Sequence, residues 1–540
     1  MLSLSSLKLS GSSWPTPRLL TLYIFISVGA LNFGYDNGWW ASAIALPAFI
    51  NHYAPGNDSI PSPWQSAGTG TANAGLVIGC LIAGVTGNKL GRKWSIILLV
   101  TIALVGMVIQ NAIQSYWAVM VGRMINSVSM GIEANVIPAY MAELAPPSIR
   151  GTLVGFYQFW QFIGVLLATS TVLGSRNSFG TTQWAFRTVM VVQIFIPLLL
   201  LVAVIFFLPE SPRWLLSKGR RDEAKRALLY IRSGSKSDPE TEVETETELN
   251  LMQDAITEQR ESHAATSYKD CFVGSNGRRT FIVSAVQVLQ QLQGNSFFTS
   301  YAVLYMAQLN ISDPLKAQMG RIACGLGGVL IGLVLTDRLG RRPLMIVCSL
   351  GNWITIWLSS GLSAWAPNPN NTSIISLSLA CVLLWMVTNS LGWGSCVWIS
   401  TAEIPTLQLR ERTISIATSC SFIVVLLISY INPFVQDEPG NLGSKVGFVY
   451  GSFSVIAAFF VWFCLPECSG RSFEELDEMF QGGVRAWRFK GYKTRGVGAR
   501  MREVSAAGGV EIEGVEVTVK GSDGGKNGDA PRPKIGNRSL

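Results

Sequence analysis

Apolar runs long enough to cross a bilayer as helices recur about twelve times in this chain. They fall at 19–46, 64–86, 94–113, 116–141, 151–174, 184–208, 280–308, 318–336, 343–365, 374–400, 412–434 and 443–465. A helix of roughly 20 such residues spans a hydrocarbon core of about 30 Å. Lipid offers no hydrogen-bond partner to the backbone, and runs that are apolar throughout, rather than alternating, satisfy it as helices. Only 14% of the 540 residues are charged, against about 25% in soluble domains. The expectation is an all-α membrane protein with twelve transmembrane helices. The first run is too long for a signal-peptide core and lacks a small-residue cleavage site, so it reads as a retained helix.

The run pattern is built twice. Ala142-Glu143 precedes Arg150 by the same spacing at which Ala402-Glu403 precedes Arg410. Gly91-Arg92-Lys93 recurs as Gly340-Arg341-Arg342, and Pro209-Glu210 recurs as Pro466-Glu467. A period of about 250 residues is far longer than a solenoid repeat and marks two related half-proteins. Gly91 lies 52 positions before Glu143, whereas Gly340 lies 63 before Glu403. The extra residues are expected in the outer loop Ala366-Pro367-Asn368-Pro369-Asn370-Asn371.

The basic residues set the orientation. Lys89, Arg92, Lys93, Arg150, Arg213, Lys218, Arg220, Arg221, Lys225 and Arg226 sit in the loops on one side in the first half, and Arg338, Arg341, Arg342, Arg410 and Arg412 in the second. The positive-inside rule makes that side cytoplasmic, with both termini there, in a plasma-membrane protein. The glycosylation sequons at Asn57, Asn310 and Asn371 then fall outside. The same clustering explains the net charge of +8 without a nucleic-acid partner.

The expected domains are a cytoplasmic tail 1–18, a six-helix bundle 19–208, linker helices 209–279, a six-helix bundle 280–465 and a cytoplasmic segment 466–540, disordered from about 481. The linker opens basic and amphipathic, then turns acidic at 240–248. The nine cysteines are scattered, mostly inside the spans, with no metal-ligand spacing, so neither a metal nor a cofactor is expected. No nucleophile–base set stands out, and His52 and His263 both fall in loops, so no enzyme is expected.

Gly91-Arg92-Lys93, Pro209-Glu210-Ser211-Pro212-Arg213-Trp214-Leu215, Asp337-Arg338-Leu339-Gly340-Arg341-Arg342, Pro466-Glu467 with Gly470-Arg471-Ser472, and Gln290-Gln291-Leu292-Gln293-Gly294-Asn295 resemble the sugar porter family of the major facilitator superfamily. The resemblance covers about residues 19–480 and is nearest to fungal members. It implies two six-helix bundles, with short cytoplasmic helices between them, around a midplane cavity that opens alternately to either side. An acidic residue usual in the first joint is replaced by Asn88, while Asp337 keeps it in the second.

Sugar sites need amides as paired donors and acceptors, with aromatic faces against the ring. The resemblance makes Gln158, Gln290, Gln291 and Trp398 sugar-contacting positions. Asn295 stands one place before the usual asparagine, where Ser296 sits, so either is a candidate. Ser421-Phe422 and the proline-free Gly394-Ser395-Cys396-Val397-Trp398 depart from hexose carriers, which leaves another sugar, a disaccharide or a polyol open. Asp36 and Arg123 match a carboxylate–guanidinium pair of proton-coupled relatives. Glu133 lies about 15 Å along the helix from Arg123, on another face; contact with Arg187 or Arg176 is one option for it, a place on the pathway another. Arg92, Glu143, Arg150, Glu210, Arg213, Arg341, Glu403, Arg410 and Glu467 are expected to form an inner gate locking the halves together.

The functional expectation is a monomeric secondary transporter importing a sugar or polyol across the lipid bilayer with a proton. A facilitative uniporter, a sugar sensor and an exporter of another metabolite on the same fold are the alternatives.

Overall fold

The computed structural model describes residues 17–57, 59–113, 115–144, 150–232, 245–246, 249–250, 253, 268–365, 371–406, 409–436, 439–469, 471, 473–492 and 494. Twelve long helices dominate them. The first half holds α1 (Pro17–Ala43), α2 (Ser62–Leu90), α3 (Arg92–Ala112), α4 (Tyr116–Leu144), α5 (Arg150–Phe179) and α6 (Trp184–Phe206). The second half opens with α7, which runs Gly274–Gln290, passes a π turn at Gln291–Asn295 and continues as Ser296–Gln308. Then come α8 (Pro314–Leu339), α9 (Arg341–Trp365), α10, α11 (Arg410–Gln436) and α12 (Val446–Cys464). Like α7, α10 is interrupted: Thr372–Thr388, a π turn Asn389–Gly394, then Ser395–Glu403. Each of the twelve expected spans coincides with one helix to within several residues.

Among the described residues, ten helical stretches are apolar and long enough to span a membrane on composition alone. The two membrane helices outside that set are α4, with Arg123 and Glu133, and α7, with its glutamines and its break. Polarity concentrates where hydrocarbon tolerates it least, which marks these helices as facing the interior of the bundle.

Without a hydrophobic drive between helices in lipid, close backbone approach supplies the packing. Glycines supply the approach. A Cβ at Gly79 of α2 would stand 2.1 Å from the Val128 carbonyl of α4, and one at Gly131 of α4 2.2 Å from the Leu76 carbonyl of α2. On α1 and α5, a Cβ at Gly34 would meet the Gln161 carbonyl at 2.0 Å, and one at Gly164 the Leu31 carbonyl at 2.2 Å. α2 also packs along α11, and α5 against α8, so these two pairs join the halves.

Between the halves, Pro212–Ser217 and Arg221–Arg232 are helical. Leu215, Leu216, Ala224 and Leu228 bury together with Leu249. Glu246, in the acidic stretch, pairs with Arg221 at 2.8 Å and Lys225 at 2.9 Å. Hydrogen bonds from Lys225 and then Arg221 hold its carboxyl below the ordinary range. The expected long outer loop 366–370 and most of the acidic linker lie outside the described residues.

The C-terminal segment differs from expectation, because order continues past 481. After the helix Phe473–Gln481 a 3₁₀ turn, Ala486–Gly491, folds back. Fully buried Phe489 packs its ring 5.2 Å from that of Phe480. Arg471 donates to the Phe489 and Tyr492 carbonyls. Buried Ala486 and Phe489, together with Arg471, fasten a stretch that composition alone marks as polar. Residues after 494 lie outside the described set.

Glycine packing yields a paired expectation. Gly79→Ala forces backbone apart and should lower the melting temperature of the purified protein by several degrees or abolish its yield. Gly327→Ala, with nothing within 4 Å of the added Cβ, should be neutral or raise stability by up to about 1 kcal/mol, since alanine favours helix.

Candidate functional site

A cavity of about 150 Å³ lies between the two halves, with room for on the order of ten waters, the scale of a monosaccharide. Gln158, Gln290, Gln291, Asn295, Ser296 and Trp398, all singled out in the sequence, line it. So do Asn37, Gln161, Gln318, Arg321 and Asn389, which were not. Gln161 is one turn from Gln158 and was legible as its companion. Asn389 was hidden because the π turn of α10, not a regular helical face, presents it.

The two broken helices build the polar wall. At Gly294 the backbone takes φ +105°, a conformation glycine adopts freely, and the π turn leaves a run of amides on one side. Asn295 donates to Gln291 at 3.2 Å and accepts from Asn389 at 3.4 Å. Asn389 in turn accepts from Asn352 at 3.3 Å, and Thr388 bonds Asn352 at 2.7 Å. Gln290 is anchored to the Trp393 carbonyl at 3.0 Å. The Ser296 hydroxyl is buried with no hydrogen-bond partner among the described residues, as suits a group kept for a ligand. The Trp398 ring stands edge-on to Tyr157 at 5.9 Å. Both Asn295 and Ser296 thus face the cavity. Phe422 lines it, whereas Ser421 turns away to the Gln287 carbonyl at 3.4 Å.

Beside this cavity lies the seat of Asp36 and Arg123, both nearly fully buried. Their charged groups approach to 3.5 Å. Trp39, Asn126 and Gln193 donate to the same Asp36 oxygen at 3.2, 2.9 and 2.7 Å. Arg123 donates to the Gly68 carbonyl at 3.1 Å and lies 4.1 Å over the Trp40 ring. The pair therefore ties α1, α2, α4 and α6 together.

Glu133 does not reach Arg187 or Arg176. It is fully buried toward Asn32 of α1, and neither carboxyl oxygen has a hydrogen-bond partner among the described residues. The two arginines sit at the opposite end of the bundle. Arg187 neighbours His52 and Tyr53, while Arg176 pairs with Asp313, ahead of α8, at 3.2 Å. That pair crosses between the halves.

The duplicated charged clusters form two matching staples. Arg92 grips Glu143 through two bonds of 2.6 and 3.1 Å. Glu210 accepts from the backbone N–H groups of Arg92 at 2.7 Å and Lys93 at 3.2 Å, capping the start of α3. In the second half Arg341 meets Glu403 at 3.0 Å, and Glu467 accepts from the N–H groups of Arg341 and Arg342 at 3.1 and 3.0 Å. Burial lifts the Glu210 carboxyl above its ordinary range, against the pull of the Ser211, Arg92 and Lys93 N–H groups. These staple contacts each lie within one half and clasp that bundle internally. The reason is geometric: the carboxylate after α6 or α12 turns onto the helix start in its own bundle. Arg213 is exposed and makes no ion pair with the described residues. The Arg150 side chain lies outside the described residues, and Arg410 starts α11 half-buried.

The halves also touch on both sides of the cavity. Toward the staples, Thr418 of α11 bonds Asn135 of α4 at 3.3 Å and Ser415 bonds the Cys80 carbonyl of α2 at 3.5 Å. Toward the far end, Asn73 of α2 bonds Ser429 of α11 at 2.9 Å.

The model of the family described as "Sugar (and other) transporter" matches residues 22–480. The chain belongs to this family. It is a sugar transporter of the major facilitator type, not an enzyme. Among curated proteins it is 29% identical to the probable glucose transporter rco-3 of Neurospora crassa, over 93% of this chain and 85% of that one. It is 27% identical to the high-affinity glucose transporter ght2 of Schizosaccharomyces pombe, over 93% and 95%. The high glucose sensor RGT2 of Saccharomyces cerevisiae is 27% identical over 85% of this chain, which covers 60% of the sensor. Among solved structures, the proton:xylose symporter XylE bound to 6-bromo-6-deoxy-D-glucose superposes with TM-score 0.72 at 22% identity, over 86% and 99% of the chains.

One expectation concerns the lone carboxyl group of this sugar transporter. Glu133→Gln keeps the shape and replaces a buried carboxyl group that no cation among the described residues accompanies, so yield and melting temperature should hold or rise. Glu133→Ala opens a cavity and should lower the melting temperature by several degrees. A thermal scan of both proteins in detergent decides; equal losses would show that the carboxyl group itself is needed.

Proposed function

We propose that this transporter imports its sugar by alternating access and couples the movement to a proton through Asp36 and Arg123. The observation that carries the reading is the placement of that buried ion pair directly against an amide-lined cavity that both halves close. Substrate binds Gln158, Gln290, Gln291, Asn295, Ser296 and Trp398, with Gln161 and Asn389 completing the hydroxyl-binding wall. A proton on Asp36 weakens its hold on Arg123 and on the donors from α1, α4 and α6, which frees the first bundle to move.

The staples keep each six-helix half rigid during that motion. The basic loops favour a cytoplasmic staple end, with the Arg176–Asp313 pair outside, and we propose a monomer in the plasma membrane. Contacts between α2 and α11 and between α5 and α8 exchange as one side opens and the other closes.

Uptake of radiolabelled sugars in cells lacking hexose carriers, with and without a protonophore, tests this reading. Protonophore-sensitive accumulation is expected in the wild type. Asp36→Asn should abolish uphill accumulation yet preserve sugar exchange, and accumulation equal to wild type would remove the proton role. Gln291→Ala should raise KM on the order of tenfold through one lost hydrogen-bonding group. A sensor would leave the cells without uptake.

A further inference from the structure

We propose that Arg321 makes the cavity a site for a polyhydroxylated carboxylate, a sugar acid, rather than for an uncharged sugar. The inference rests on the transport reading above and names the substrate class of that same site.

Arg321 lies two turns into α8, is 4% exposed and lines the cavity. Of the described side chains on the cavity wall it is the one that ionises. Its Nε donates to Gln318 at 2.8 Å, its Nη1 to the Met386 sulfur at 3.0 Å and its Nη2 to the Phe298 carbonyl at 3.5 Å. None of these partners carries charge, and among the described residues no carboxylate offsets the guanidinium. Burying a cation this way is costly unless an anion joins it.

The contrast with Arg123 sharpens the point. That arginine, equally buried, has Asp36 at 3.5 Å, so the pair adds no net charge to its surroundings. The cavity beside it is left with one positive charge from Arg321. A thioether is a weak acceptor, and the Nη1 bond to Met386 is readily exchanged for a carboxylate oxygen. A guanidinium presents its N–H groups as a planar fork that a carboxylate matches with two bonds. The same cavity is lined by the amides of Gln158, Gln291 and Asn295, which suit hydroxyls. A ligand that satisfies both the amides and the guanidinium carries hydroxyls and a carboxylate. Uronates carry it on the terminal carbon and aldonates on the first, and both present this chemistry.

The full chain, purified and reconstituted in proteoliposomes, is assayed with radiolabelled glucose, galacturonate and gluconate. At least one acid is expected to be carried with a higher kcat/KM than glucose, and whichever acid it is locates the carboxylate on the ligand. Arg321→Gln should lower the acid-to-glucose ratio of kcat/KM on the order of tenfold to a hundredfold, the worth of a charge-assisted bond pair. Arg321→Lys, which keeps the charge without the fork, should fall between. If the Gln protein fails to fold, Arg321→Met, which preserves packing beside Met386, makes the same comparison. Transport of glucose with neither acid carried, or an unchanged ratio in the variants, overturns the inference and leaves sugar transport standing. Transport of none of the three overturns the acid inference and the transport reading together.

Discussion

Hydrocarbon supplies no hydrogen bonds, and every polar group inside the twelve helices has to find its partner within the protein. Most of the architecture follows from that constraint. Serines and threonines bond back to carbonyls one turn away, as Thr169 and Ser349 do. Asparagine and glutamine link helix to helix, as Asn352 does between α9 and α10. At the cavity between the halves the Ser296 hydroxyl has no partner among the described residues, and Arg321 has only neutral ones.

The same physics separates the two buried arginines and the two buried acids of the membrane region. Asp36 has three donors and a guanidinium around it, whereas Glu133 faces Asn32 with no guanidinium beside it among the described residues. Arg123 has an acid, whereas Arg321 has an amide, a carbonyl and a sulfur. Each half thus holds a lone ionisable group, but only Arg321 lines the cavity. The scaffold is duplicated, and its charges are not.

Much of this was legible from the residues. Apolar length located the helices, and the repeated glycine–arginine, proline–glutamate and glutamate-to-arginine spacings located both staples. What spacing did not reveal was the direction of the staples. Glu210 and Glu467 reach back to helix starts more than a hundred positions earlier, and only the bundle's closure brings them there. Arg321 stood in plain view inside the run 318–336, but close enough to its start to pass for a boundary charge. Asn389 and Gln318 became site residues through the break of α10 and the facing of α8. The Arg176–Asp313 contact joins residues 137 positions apart, and no local pattern encodes it.

The C-terminal segment deserves a different description from the one its position suggests. Its helix lays Asp477 against Arg279, at the entrance to α7, and Phe480 under the same guanidinium, 4.4 Å from the ring centre. Arg279 also holds the carbonyl of Ile404, beyond the end of α10. The last described residues are therefore a collar around the very two helices whose breaks form the polar wall. Shortening the chain after its final membrane crossing would not trim a tail. It would loosen the frame on which the cavity is hung.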